Sequence, residues 1–229
     1  MKWLNKLERK YSRFAIENLM QYVIGITVLV YLLENFMEID VQSYLYFSPE
    51  LIKRGEIWRI ITFIFMPGGG GLFSLFLASY FYIMIGNTLE YHWGTFRFNL
   101  YYLCGIIGII IAGMITGYGS PTFLNLSLFL AFAYLYPDVE VRLFFLIPIK
   151  VKWLAYLNWF YFIITLVNGT WGQRAAVIAS LINFFIFFGK DFIDYIQNKR
   201  RYGSVQSNFR RQMRQAEKER LKRERLRED

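Results

Sequence analysis

The sequence contains one cysteine and one histidine among 229 residues. A single cysteine excludes an internal disulfide framework, and with a single histidine it also excludes a four-ligand Cys/His metal site. Charge is scarce as well. Asp, Glu, Lys and Arg make up 19% of the chain, against about 25% in a soluble globular domain, and they crowd toward the two ends. From residue 62 to residue 196 long apolar runs are broken by few charged side chains. Too little polar surface remains to wet a soluble sandwich or α/β domain. The same apolar content excludes disorder everywhere except the C-terminal tail. Acidic and basic chains crossing the bilayer, the usual mark of ion and proton pathways, are missing. No inverted repeat of the transporter kind is apparent either.

What is present is apolar and aromatic bulk, with 55% hydrophobic residues, 23 Phe and 17 Tyr. A membrane-crossing helix needs about 20 mostly apolar residues. Six segments are read as spans: 18–36, 72–90, 98–118, 123–136, 151–168 and 175–196. The fourth is short, and Gly119, Ser120 and Pro121 before it leave room only for a tight turn. The first lacks a small-residue cleavage site and is followed by further spans, so it is not a signal peptide. The expectation is an all-α polytopic membrane protein. Residues 1–17 form a basic N-terminal segment, 18–196 the membrane domain and 197–229 a basic tail, helical or disordered.

Positive residues set the orientation. With the N-terminus inside, 22 of the 26 Lys and Arg lie on the inner side, and only Lys53, Arg54, Arg59 and Arg174 lie outside. Both termini are therefore expected in the cytoplasm. The outer loop over residues 37–71 is long, and such loops usually carry structure or function of their own. It mixes Tyr44, Tyr46, Phe47, Leu51 and Trp58 with Glu50, Lys53, Arg54 and Glu56, the pattern of short amphipathic helices at a membrane interface.

Single features carry less. Pro67-Gly68-Gly69-Gly70-Gly71 lacks the Lys-Ser/Thr that a phosphate-binding loop requires and reads as a hinge into the next helix. Gly108/Ala112 and Gly113/Gly117 have the four-residue spacing that lets helix backbones approach, and packing within the chain is the simpler use. His92, beside Trp93, fits an interfacial belt residue. Cys104 reads as an inert small apolar residue. The strongest polar groups within the spans are Asn87, Asn125 and Asn183. The tail over residues 199–229 holds 12 Lys/Arg against five Asp/Glu. It fits a solvated helix, a helix drawn to anionic lipid, or a non-specific contact with RNA. No specific nucleic acid, metal or cofactor is expected.

Several local motifs now add up. Gly55-Glu56-Ile57-Trp58-Arg59-Ile60-Ile61-Thr62 resembles the Trp-Arg loop segment of the rhomboid and derlin superfamily. Gly86-Asn87-Thr88-Leu89-Glu90 followed by Trp93-Gly94 resembles the end of that family's second span. Ala131-Phe132 through Pro137, then Arg142, Phe144-Phe145 and Ile147-Pro148, resembles its fourth span and the turn after it. Ala175-Ala176 opens a segment placed like its sixth span. The resemblance runs from about residue 19 to residue 194. It implies a six-helix rhomboid-like bundle with a long interfacial first outer loop, and it marks Trp58, Arg59, Gly86, Glu90, Gly94 and Pro137 as structural positions.

Active rhomboid proteases use a Ser of a Gly-x-Ser-Gly motif on the fourth span with a His on the sixth. A His and an Asn on the second span assist the oxyanion. Counting from the matching landmarks, the nucleophile position falls on Thr122, with Phe123 in place of the following Gly. The other positions fall on Val177 for the dyad His, Ser74 for the second-span His and Ala78 for the Asn. A hydroxyl needs a base to become a nucleophile, and a one-turn slip toward Ser120 or Ser127 creates no histidine. Phe123 is also expected to crowd the backbone donors an oxyanion needs.

The resemblance therefore implies a catalytically inactive, derlin-like pseudoprotease. Its partners would be membrane lipids and transmembrane client proteins, whose trafficking, quality control or degradation it assists. Ser74, Thr122, Asn125 and Asn183 would form a residual client cleft. An active protease with an atypical nucleophile and a lipid transporter or scramblase are the alternatives. The Lys/Phe/Ile/Tyr/Asn-rich composition favours a bacterial plasma membrane.

Overall fold

A computed structural model describes residues 2–37, 39–143 and 147–189. The end of the sixth expected span, Phe144-Phe145 and the basic tail lie outside the described residues. The chain divides into two units, Met1–Ile186 and Phe187–Asp229; of the second, only the last three residues of a helix are described.

The described chain is mostly helical. A short helix α1 (Lys2–Tyr11) precedes α2 (Leu19–Met37). Three short helices follow, α3 (Gln42–Leu45), α4 (Pro49–Lys53) and α5 (Arg59–Thr62). Then come α6 (Leu72–Trp93), α7 (Thr95–Thr116), α8 (Thr122–Leu135) and α9 (Val151–Asn168). The last described helix, α10, spans Trp171–Gly189. By length and composition α2, α6, α7 and α10 are long and apolar enough to cross a membrane. Helix α8 is apolar but shorter, and α9 is interrupted by Lys152 and Asn158. The outward faces carry large exposed apolar side chains, among them Phe76, Tyr80, Ile107, Ile111, Phe160 and Ile163. Apolar faces of that extent are unusual on a water-soluble monomer and fit an integral membrane protein.

Helix α2 packs on α6, α6 on α7 and α8, and α8 on α9. The core is centred on α8, where Phe123, Leu124 and the seven residues from Ser127 to Ala133 are buried. Polar side chains tie the helices across this core. Ser127 Oγ lies 3.0 Å from Tyr101 Oη of α7, and Asn158 Nδ2 of α9 donates to the Leu126 carbonyl at 2.8 Å. Asn183 Nδ2 of α10 donates to the Tyr101 carbonyl at 3.2 Å. In an apolar surround each bond counts because the free alternative is an unsatisfied polar group.

Small residues on α7 allow close approach. A Cβ at Gly105 would overlap the Leu124 side chain and sit 3.0 Å from Asn183 Nδ2, and one at Gly113 would meet the Phe47 ring. Gly94 turns α6 into α7 at φ +84, a backbone region that other residues rarely adopt. Gly86 backs onto Met20 with no room for a Cβ.

The all-α expectation needs one correction. After α8 the chain forms an antiparallel hairpin, β1 (Glu140–Leu143) with β2 (Ile147–Lys150), in the register Glu140↔Lys150, Val141↔Ile149. β-branched Val141, Ile147 and Ile149 favour the extended backbone, and Pro148 is tolerated because the sheet has only two strands. The hairpin is closed at its base by the Pro137 carbonyl, which accepts from Lys152 N at 3.0 Å, and by Asp138, 2.9 Å from Lys152 Nζ and 4.0 Å from Lys150 Nζ. The N-terminal segment also holds more order than a basic stretch requires, since most of it is α1.

Two outcomes test this packing. Gly105→Val should lower stability by about 1–3 kcal/mol, read as an earlier midpoint in thermal unfolding in detergent. The hydrogen bond and charge of Lys152, aided by Lys150, hold the Asp138 carboxyl below its ordinary value of 3.8. Its contribution is thus present above the unfolded-state value and lost as pH falls through the lower folded-state one. An NMR titration of the Asp138 carboxyl should place its midpoint below 3.8, and Lys152→Met should move it back up.

Candidate functional site

The segment between α2 and α6 is folded around Arg59, whose side chain is only 3% exposed. Its Nη1 donates to the carbonyls of Ser43 at 2.8 Å and Tyr46 at 3.1 Å. Its Nε and Nη2 each lie 2.7 Å from Glu56 Oε2, and the guanidinium sits 4.7 Å from the Tyr46 ring centroid. Trp58 Nε1 donates to the Tyr44 carbonyl at 3.2 Å. One cation thereby fixes two stretches of loop, and the loop in turn buries Phe47 against Phe63, ring centroids 5.5 Å apart.

Tyr46, Phe47 and Ser48 form part of the wall of a cavity of about 710 Å³. Its other walls are Val23, Ile24 and Thr27 of α2, Ser74, Ala78, Ser79 and Tyr82 of α6, and Thr122 and Asn125 of α8. The rim is completed by Gly68 and Gly69 and by Gly117 to Pro121. Tyr82 lies ten residues along α6 from its first residue, about 15 Å at 1.5 Å per residue. Lined from Ser74 to Tyr82, the cavity runs along the first half of α6.

The structure brings Ser74, Ala78 and Thr122 to this one cavity, all three exposed to it. Thr122 Oγ1 lies 3.0 Å from Ser120 Oγ, which also accepts the Thr122 N–H at 3.3 Å. Asn125 Oδ1 is buried without a hydrogen-bond partner. Val177 is fully buried on α10 and does not line the cavity. Asn183, grouped with the cleft in the sequence reading, also lies away from it, spent on the Tyr101 carbonyl. Phe123 does not line the cavity. Its ring is buried against Tyr161 and Phe162 of α9, at centroid distances of 6.2 and 6.1 Å.

Among the described residues no histidine, lysine, arginine, cysteine or carboxylate lines the cavity. Three phenols, those of Tyr46, Tyr82 and Tyr118, also line it. His92 ends the same helix that Ser74 begins, 18 residues on, or about 27 Å along the axis. There its Nδ1 lies 3.3 Å from Tyr136 Oη. Ser127, the other slip position, is buried with its hydroxyl donated to the Leu124 carbonyl at 2.8 Å. Among the described residues no group of three or more His, Cys, Asp or Glu could hold a metal ion.

The remaining motif positions are structural in their contacts. Glu90 Oε1 accepts the Asn18 N–H at 3.0 Å, where Asn18 enters α2 at φ +55. Sequence reasoning missed the walls contributed by Tyr46, Ser79, Tyr82 and the glycine run. That run read as a hinge because its use depends on what faces it: a Cβ at Gly70 would meet the Ser74 side chain at 2.8 Å.

No family model matches the chain. Over 65 residues it is 31% identical to the Rhomboid-like protease 1 of Toxoplasma gondii, a match covering 28% of this chain and 22% of that protein. The match thus spans about a fifth of that relative's length, and it supports a relation to the rhomboid superfamily.

Removing the central cation tests the loop. Arg59→Ala leaves two carbonyls and Glu56 without their donor and should cost about 3 kcal/mol. It should also open residues 42–48 to proteolysis, read as new cleavage sites in limited digestion, whereas Trp58→Phe, which removes one exposed hydrogen bond, should cost about 1 kcal/mol.

Proposed function

We propose that this chain is a six-span rhomboid-superfamily membrane protein without proteolytic activity, which receives transmembrane segments of client proteins at the cavity between α2, α6 and α8. In this reading α8 and α9 cross the membrane with the four longer helices, both termini face the cytoplasm, and the host membrane is a bacterial plasma membrane. The observation that carries it is the lining of the cavity. Three positions that would hold catalytic groups in an active relative meet there as Ser74, Ala78 and Thr122, and among the described residues no imidazole, amine or carboxylate lines it to take a proton from a hydroxyl.

The cavity offers neutral hydrogen bonding instead. The hydroxyls of Ser74 and Ser79 line it, and Asn125 Oδ1 beside them is buried without a hydrogen-bond partner. In hydrocarbon an unpaired backbone N–H or C=O costs several kcal/mol. A client helix broken by polar residues would find partners here that lipid cannot give. Fourteen residues in α8 span about 21 Å, less than the roughly 30 Å hydrocarbon core. A short element amid longer ones favours local thinning of the bilayer, which lowers the cost of moving a polar client segment.

The purified protein should leave a generic rhomboid substrate intact under conditions where an active rhomboid cleaves it. A product that disappears in Thr122→Ala, Ser120→Ala or Ser127→Ala would overturn the inactive reading and name the nucleophile. A photo-crosslinker at Ala78 should capture membrane proteins in cells, with capture reduced severalfold by Ser79→Leu and Asn125→Leu, which fill the cavity with apolar bulk.

A further inference from the structure

The residues just before the first long helix form a second surface, separate from the cavity. Helix α1 and the turn after it are fastened at the end where α2 begins, α6 ends and α7 starts. Glu8 Oε2 accepts from Arg97 Nη2 at 2.9 Å and from Nε at 3.1 Å. Asn99 clamps the backbone of Ile16 from both sides, its Oδ1 accepting the N–H at 3.0 Å and its Nδ2 donating to the carbonyl at 2.9 Å. Glu90 holds the next turn through Asn18. Such fastening fixes the direction of the side chains between the clamps.

Those side chains combine two chemistries. Arg9, Lys10 and Arg13 are exposed and make no ion pair among the described residues. Beside them Phe14 is 66% exposed and Ile16 51%. The cations lie against the rings of their neighbours, Lys10 Nζ 5.2 Å from the Tyr11 centroid and Arg13 Cζ 4.8 Å from that of Phe14. Leu19, the start of α2, is five positions beyond Phe14, so a fully extended chain would place it at most about 18 Å away. An apolar, cationic patch held that close to a membrane-spanning helix has one complementary neighbour, a headgroup layer with negative charge.

We propose that α1 and its following turn bind the surface of the bilayer, with Arg9, Lys10 and Arg13 on the phosphates of anionic phospholipid and Phe14 and Ile16 inserted among the acyl chain ends. The site selects phosphatidylglycerol-type lipid over zwitterionic lipid through its three charges and takes depth from its two apolar side chains. One basic residue at such a surface accounts for up to roughly fivefold in preference.

The test uses the full chain in lipid nanodiscs of phosphatidylcholine with phosphatidylglycerol. A Cys104→Ala background with Ser12→Cys carries a fluorescent probe on the turn. Quenching by doxyl-labelled phosphatidylglycerol should exceed that by equally abundant doxyl-labelled phosphatidylcholine severalfold. The preference should vanish in R9Q/K10Q/R13Q and in 1 M salt. In F14S/I16S both lipids should quench less while the preference for the anionic one persists. Equal quenching by the two lipids in the parent would overturn the anionic selectivity. Full access of the probe to aqueous iodide, with no lipid quenching, would overturn the membrane contact and turn this face to water or to a protein. Unchanged elution on size exclusion separates these results from misfolding.

Discussion

The architecture depends on a helix too short for the job its neighbours do. The fourteen residues of α8, about 21 Å long, fall short of a hydrocarbon core of roughly 30 Å, and backbone groups at either end cannot be left in lipid. The solution is to surround it. Helices α6, α7 and α9 pack against α8, nine of its residues are buried, and side chains from α7 and α9 bond to it across the core. The space between α2, α6 and the first turn of α8 is the cavity.

That space needs a wall, and the segment between α2 and α6 provides one. A loop of short helices has little core of its own, so its order comes from concentrated bonding at a point. Arg59 supplies it with two carbonyls, one carboxylate and one ring. A lysine would keep the charge but not the fork that reaches several acceptors at once. The loop so fixed places Phe47 on Gly113 and Gly119, where no larger residue fits. Packing between loop and α7 thus joins the Trp-Arg motif to the small residues of the third long helix, two features that look unrelated along the chain.

The chemistry of the cavity follows from what cannot be supplied. Among the described lining residues hydroxyls are present and no imidazole, amine or carboxylate is; the one histidine is at the far end of α6, engaged with Tyr136. What remains are neutral donors and acceptors in a pocket open enough to expose Ser74, Ala78 and Thr122. Such a surface offers neutral hydrogen-bonding groups in an apolar surround. Arg9, Lys10 and Arg13, exposed cations before α2, lie outside its lining.

Much of the helix count was legible in composition, because a stretch of apolar residues has few other stable forms in lipid. The segments read as 18–36, 72–90 and 151–168 sit within three residues of α2, α6 and α9, since their ends are marked by polar residues or glycine. The hairpin was not legible, because residues 140–150 are short, mixed in polarity and hold a proline; only pairing across the turn makes them strands. Nor was the direction of Phe123, since a helix start alone does not say which side faces α9. By itself the sequence determined a membrane protein of apolar helices with a single histidine, because both are matters of residue type. Tertiary structure alone decided that Ser74, Ala78 and Thr122 share a cavity while His92, Asn183 and Val177 lie outside it, because helix crossing sets which faces meet.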